Sequence, residues 1–377
     1  MGKTSSNKNL HSASKAKQDE FYTQLNDISK ELRHYRDQLQ GKVILCNCDD
    51  PFESNFFKYF AANFNALKIK KLIATSYVKS PIVGGQLSLI EIEGLKPEGK
   101  EPYVVIINEV PDLNKDGAVS LDDVEHLLRH NKNVSRPLKG DLEYNAGDFR
   151  SKECVAFLEE ADIVITNPPF SLFREFVALL EKHNKDFIII GNINAISYRE
   201  IFKLIKKNKM WLGYSHRNHG IGMFFDIPQS VNTDFATRLK DGKIFIGGAV
   251  WFTSLDTPLN HEPMTLYKTY VPEEYPKYYN YNAIEVSRTK NIPMDYDGHM
   301  GVPITFLNSG YNPDQFEIIG LGISNSGIEI GVRPYKREHR KYRVEIQKRA
   351  AVNGDLYMMT DGVVNVPYAR IIIKRKI

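Results

Sequence analysis

The sequence predicts an α/β protein: a mostly parallel sheet with helices on both faces, followed by a mainly β C-terminal region. Three observations carry this. Short apolar runs alternate with amphipathic helical patterns through the first half of the chain. After Trp211 the character shifts to aromatic-rich strands separated by Pro and Gly turns. A Pro-rich loop, Asn167-Pro168-Pro169-Phe170, stands directly behind the apolar run Ala161 to Thr166, where open α/β sheets place their working loops.

Residues 1–17 are rich in Ser, Lys and Asn and have the composition of a basic arm without a core. From Asp19 to Leu39 the apolar residues Phe21, Leu25, Ile28, Leu32, Tyr35 and Leu39 recur at three- and four-residue steps, which predicts an amphipathic helix. Lys42 to Cys46 reads as a first strand, Ser54 to Asn65 as a helix and Lys70 to Tyr77 as a second strand. Ser88–Glu93 with Tyr103–Glu109 reads as a hairpin-like insertion. Ala161–Thr166, Asp186–Gly191 and Val250–Ser254 are the later strands, with helices over Ser171–Glu181 and Arg199–Lys207. The organisation expected is an arm and helix over 1–40, a catalytic domain over 41–255 with an insertion at 110–130, and a separate region over 256–377.

Composition excludes several classes. A hydrophobic share of 42% beside 25% charged residues, over 377 residues, is that of a globular protein with room for two domains. No run is long enough to span a membrane and the start has no apolar signal core, so the expected location is cytoplasmic. Cys46, Cys48 and Cys154 are too few for a disulfide scaffold or a four-cysteine zinc site. The net charge of +4 is too small to argue nucleic-acid binding by itself. Its distribution is more informative: Arg333, Lys336, Arg337, Arg340, Lys341, Arg343, Lys348 and Arg349 crowd one stretch with only Glu338 and Glu345 among them. Such a run is a solvated face or, in an enzyme acting on nucleic acid, a phosphate track.

The Asn-Pro-Pro-aromatic loop suits methyl transfer onto an exocyclic amine, adenine N6 or cytosine N4. That nitrogen shares its lone pair with the ring, so a catalyst must hold both amino hydrogens while the nitrogen turns pyramidal. The Asn167 side-chain carbonyl and the Pro168 backbone carbonyl are acceptors for the two hydrogens. Pro168 and Pro169 stiffen the loop and remove competing donors, and Phe170 offers a face on which an extruded base can stack. Taken as a bare tetrapeptide, the same residues are also an ordinary turn after a strand.

Beyond this loop, the segments Asp19 to Gln24, Cys46 to Pro51, Ser54 to Phe60, Gly147 to Ser151, Thr166 to Arg174, Lys209 to Gly213 and Gly301 to Leu307 resemble, in that order, the EcoRI family of adenine-N6 DNA modification methyltransferases. The resemblance implies a Rossmann-like fold dependent on S-adenosylmethionine, a C-terminal target-recognition region and double-stranded DNA as partner. It further implies a short palindromic target such as GAATTC and a monomer, in a restriction-modification or orphan setting where a cognate nuclease is not required. It places the cofactor between Asn47, Asp49 and Asp50 after the first strand, Asp148 and Phe149 at its adenine, and Phe21, Tyr22 and Thr23 at its methionine end. Read as residues alone, Asp49-Asp50-Pro51 is also a helix-capping turn, and Phe21 to Thr23 also fit a cap or staple. The chain departs from common nucleotide-binding sheets in lacking glycines after the first strand and an acidic residue at the end of the second. Within this reading Arg337, Arg340 and Lys341 are the candidate DNA contacts.

Residues 112–123 also fit a twelve-residue calcium loop: Asp112, Asn114, Asp116, the Ala118 carbonyl, Ser120 and Asp123 at the ligand positions, with Gly117 at the sharp turn. An acidic surface insertion fits the same residues. Cytosine-N4 methylation and a non-catalytic DNA-binding protein are the alternatives to the leading function; the intact loop at 167–170 argues against the second.

Overall fold

The computed structural model describes residues 22–48, 50–51, 54–77, 102–112, 121–130, 134–216, 221–226, 239–240 and 243–376. Two compact units make up the chain: Met1–Ile193 with Gly213–Ser215 and Gly220–Leu255, and Asn194–Leu212 with His216–His219 and Asp256–Ile377. The sequence-based division keeps 41–255 together, whereas 194–212 and 216–219 group here with the C-terminal part.

The first unit holds β1 (Tyr22–Thr23), β2 (Val43–Cys46), β3 (Lys71–Thr75), β4 (Tyr103–Ile107), β5 (Ser135–Pro137), β6 (Ile163–Thr166) and β7 (Asp186–Asn192). It also holds β9 (Met223–Asp226), β10 (Leu239–Lys240), β11 (Lys243–Ile246) and β12 (Ala249–Thr253), while β8 (Trp211–Leu212) belongs to the second unit. Seven strands form the main sheet of this unit in the order β5-β4-β3-β2-β6-β7-β12. The four central strands β3, β2, β6 and β7 run parallel. β4, β5 and β12 join through antiparallel pairings, so a parallel centre sits within a mixed sheet. Residues 103–107 are not one arm of a local hairpin: they pair with β3, and the expected partner segment 88–93 lies outside the described residues.

β2 and β6 are buried at every position, which is why Val-Ile-Leu-Cys and Ile-Val-Ile-Thr read as continuous apolar runs. Helix Asn55–Ala62 covers the sheet with Phe56, Phe57 and Phe60, and Ser54 caps it by accepting from the Phe56 and Phe57 amides at 3.1 and 3.5 Å. Helix Phe173–Lys182 buries Phe173, Phe176, Val177 and Leu180. Its Phe173 ring lies so close to β7 that a Cβ on Gly191 would stand 2.4 Å from it. Only glycine allows that approach.

The N-terminal helix is shorter than its periodicity predicts. Tyr22 and Thr23 leave the helical pattern to pair with Asp226 and Phe225 of β9, and the helix starts at Leu25. It runs to Leu32, then tightens through Arg33–Tyr35 into a last turn at Arg36–Leu39, burying Ile28, Leu32, Tyr35 and Leu39. Within it Glu31 is fully buried. Its carboxylate accepts from Tyr35 Oη at 2.8 Å, from the Tyr214 and Ser215 amides at 2.7 and 2.8 Å, and from Ser215 Oγ. Burial and this carboxylate push the Tyr35 phenol well above its ordinary range.

In the second unit, β13 (Ile284–Glu285), β14 (Met300–Pro303), β18 (Arg370–Arg375) and β15 (Phe316–Leu321) form a four-stranded sheet in that order, and β16 (Met358–Thr360) and β17 (Val363–Asn365) form a hairpin. Residues 268–293 are structured: Glu285 is buried and takes both a bidentate Arg370 contact, 2.6 Å at its shortest, and the Tyr278 hydroxyl. On the surface His261 lies between two carboxylates, Nδ1 at 2.6 Å from Asp314 and Nε2 at 2.8 Å from Asp256. Both ring nitrogens therefore donate and the imidazolium is favoured; hydrogen bonds to Asp256 and then Asp314 raise its pKa above the ordinary value.

These networks are open to test. Glu31→Ala leaves several buried donors without an acceptor and is expected to lower the unfolding free energy by about 3–5 kcal/mol; a drop under about 1 kcal/mol in urea unfolding would show the network to be unimportant. The His261 contribution to stability is full below about pH 6.5, the unfolded value, and disappears as pH rises through the raised folded value. The melting-temperature gap between the wild type and His261→Gln should therefore be widest near about pH 6 and close toward about pH 9; a pH-independent gap contradicts the pairing.

Candidate active site

The site lies at the carboxyl ends of β2, β3 and β6. β6 delivers Thr166 into the loop Asn167-Pro168-Pro169, and a turn at Phe170–Leu172, with the Leu172 amide on the Pro169 carbonyl at 2.9 Å, leads into helix Phe173–Lys182. Asn167 is 6% exposed, while Phe170 is half-buried against the core and keeps part of its ring accessible. The four residues of the predicted loop are thus held together on one rigid strand end.

β2 delivers Asn47 and Cys48. Cys48 takes φ +74°, the left-handed conformation a glycine would adopt freely, so the turn keeps its bend without a glycine. Asp50 is buried and accepts the Tyr103 hydroxyl. From the other side comes Gly147, at φ +76°, where any Cβ would strike the Ser76 carbonyl at 2.0 Å. It brings Asp148 and Phe149 over the sheet. Cys48, Tyr77, Gly147, Asp148, Phe149, Pro169 and Leu172 line a small pocket.

Asp148 is already engaged. Its Oδ1 accepts the Arg150 amide and Nε, and its Oδ2 accepts Arg150 Nη2, each at 2.9 Å. Arg150 reaches on to Glu175 at 2.7 Å and lies over the Tyr144 and Phe149 rings. The carboxylate has capacity for about four donors, which leaves one acceptor site for a ligand. Burial raises the Cys154 thiol to about 11, and all three cysteines are buried.

Of the residues expected around the cofactor, Asn47, Asp50, Asp148, Phe149, Tyr22 and Thr23 are buried here, whereas Phe21 and Asp49 lie outside the described residues. Two buried polar atoms, Asn47 Oδ1 and Thr23 Oγ1, have no hydrogen-bond partner, in residues 4% and 3% exposed. Polar atoms buried in this way at strand ends fit a bound polar ligand. Sequence reasoning misses Leu172, Pro169 and Cys48 as cavity walls, and Arg150 as the partner of Asp148. Only the left-handed turn at Gly147 carries a signal, in the Gly-Asp pair.

The calcium loop gains no support. Asn114, Asp116, Ala118 and Ser120 lie outside the described residues, Asp112 is half-buried, and Asp123 is fully buried in helix Leu121–His130. Among the described residues no group of three or more metal-ligating side chains is gathered. No described helix is long and apolar enough to cross a membrane. Arg337, Arg340 and Lys341 occupy one exposed helix, Arg337–Lys341; Arg340 reaches Asn353 at 3.1 Å and Lys341 stands 3.9 Å from Glu345.

An Asn-Pro-Pro-Phe loop at a strand end, beside a small pocket on an α/β sheet, fits an enzyme of the methyltransferase class. The chain belongs to the family described as adenine-specific methyltransferase EcoRI, whose model matches residues 9–376. It is 41% identical to the Type II methyltransferase M.EcoRI of Escherichia coli over 89% of this chain and 97% of that one. It is 38% identical to the Type II methyltransferase M.MpnI of Mycoplasma pneumoniae, over 81% of this chain and 83% of the relative. A third, M.MgeORF184P of Mycoplasma genitalium, is 37% identical over 81% of this chain and 84% of its own length. No solved structure matches. The protein is therefore an adenine-specific methyltransferase, and its family implies S-adenosylmethionine as methyl donor.

Proposed function

We propose that the protein methylates adenine N6 at a short specific sequence in double-stranded DNA, after turning the target base out of the helix. The observation that carries this is the placement of Asn167-Pro168-Pro169-Phe170 at the end of β6, with Pro169 itself forming part of the cavity wall. S-adenosylmethionine, when bound, supplies an electrophilic methyl group on a sulfonium sulfur. Asn47, Asp50, Thr23 and Tyr22 would hold its methionine part, and Asp148 and Phe149 its adenine. Phe21 and Asp49 keep their expected roles there.

The chain's own residues do the remaining work. Phe170 stacks on the extruded base, with unstacking costing a few kcal/mol that the pocket must recover. Asn167 Oδ1 and the Pro168 carbonyl accept the two amino hydrogens and so stabilise the positive charge that grows on nitrogen as it attacks. The methylated amine is acidic enough to release its proton to solvent, so orientation and charge placement carry the rate without a dedicated base. The second unit would supply target recognition, with Arg337, Arg340 and Lys341 on phosphates. Such an enzyme acts as a monomer in the cytoplasm, with or without a partner nuclease.

Digestion to nucleosides of DNA methylated with labelled donor should yield N6-methyl-2′-deoxyadenosine; label in N4-methyl-2′-deoxycytidine would overturn the target. Asn167→Ala should slow turnover by about 10²–10³-fold with donor affinity nearly unchanged, whereas Asp148→Asn should weaken donor binding by about tenfold in calorimetry. Turnover near wild type in Asn167→Ala removes the catalytic assignment. Replacing Arg337 and Lys341 by Ala should lower the log-log salt slope of DNA binding by about one for each phosphate no longer neutralised. An unchanged slope returns this helix to a solvated face.

A further inference from the structure

β2 and β6 are neighbours in register, Ile44 beside Ile163 and Leu45 beside Val164. Their pairing is closed at both ends by bonds that are not part of the ladder. At the entry, Asp162 accepts the Val43 amide through its carboxylate at 2.7 Å and donates its own amide to the Val43 carbonyl at 2.9 Å. At the exit, the Thr166 hydroxyl donates to the Asn47 backbone carbonyl. Thr166 is completely buried, so water does not compete for that bond. Its β-branched side chain has restricted χ1 freedom, which keeps the hydroxyl aimed.

The position of this bond matters more than its strength. Thr166 is the residue before Asn167, and Asn47 is the residue before Cys48, which lines the cavity. One hydroxyl therefore ties the start of the acceptor loop to the start of the donor turn. We propose that Thr166 is a positioning residue for methyl transfer, its bond to the Asn47 carbonyl fixing the separation between the amine held by Asn167 and the methyl donor. This rests on the roles assigned to Asn167 and to the 47–50 turn. Displacement transfer is steep in geometry: a misplacement of about 1 Å can cost about 10²-fold in rate. Each loop still has its own contacts to its own ligand, so removing the tie should slow the chemical step and leave both binding events alone. The Asp162 pair at the other end holds the strand register independently.

The test uses the full chain, labelled S-adenosylmethionine and unmethylated genomic DNA under single-turnover conditions. Thr166→Val, which keeps the shape and removes the hydroxyl, should lower the transfer rate constant by about 10–100-fold. Dissociation constants for donor and DNA should stay within about threefold and the melting temperature should stay close to wild type. Thr166→Ser restores the hydroxyl and should recover most of the rate, while Thr166→Ala should be as slow as Thr166→Val. A wild-type rate in Thr166→Val overturns the proposal. So does a Thr166→Ser variant as slow as Thr166→Val, or a fall in donor affinity matching the fall in rate. Asn167→Ala, run in parallel, separates the two levels: if it is slow and Thr166→Val is fast, only the positioning role falls, whereas a fast Asn167→Ala removes the catalytic reading itself.

Discussion

The parallel pairing of β2 with β6 is the constraint on which the rest of the first unit depends. Two strands that carry no catalytic side chain bring their carboxyl ends together, and both working loops begin there. Because each strand is buried on both faces, slipping the register would misplace every packed side chain at once, so the loops inherit their relative position from the core. Asn167 and Asn47 are thereby held without having to organise themselves, and the entropy of positioning is met during folding rather than during turnover.

A second device pins the N-terminal segment. Glu31 gathers its donors from its own helix and from residues 214–215, and Gly213 just before them has no room for a Cβ, which would stand 2.3 Å from that of Trp251 and 2.6 Å from Glu31 Oε1. His34 stacks on Tyr214 with ring centroids 3.4 Å apart. A buried carboxylate is costly unless its acceptor capacity is used, and here it is. The helix so anchored follows directly from β1, whose Thr23 carbonyl accepts from the Asn55 side chain at 2.7 Å. The methionine end of the proposed cofactor site is thus built on a segment held by these polar contacts as well as by its buried apolar face.

Much of this is legible in the sequence because burial on both faces writes itself as apolar runs. β2, β3, β6, β7 and β12 all overlap their predicted segments, as does the loop at 167–170. What periodicity cannot show is strand direction: Tyr-Val-Val-Ile-Ile at 103–107 is as apolar as a parallel strand, yet it pairs antiparallel with β3. Nor can it show that Tyr22 and Thr23 leave the helix, since pairing with β9, far along the chain, overrides a local pattern. Glu31 sits in an amphipathic helix as a charge on the wrong face, and only the tertiary donors explain it. Arg150 is similarly hidden, since an arginine two residues after an aspartate is unremarkable until the chain folds back.

That Arg150 contact bears on the proposed adenine end of the cofactor site. With the guanidinium on both of its oxygens, the Asp148 side chain is fixed in place with little left to reorganise. The guanidinium also lies over the Phe149 ring at 5.1 Å, which stiffens the wall that would face a bound base. Glu175, on the helix that follows the catalytic loop, takes the remaining reach of Arg150. One side chain therefore connects Asp148 to the helix entered from Asn167-Pro168-Pro169-Phe170. In the proposed site, Arg150 would join the methyl-donor side to the acceptor side at this rim, as the Thr166 hydroxyl would at the strand ends.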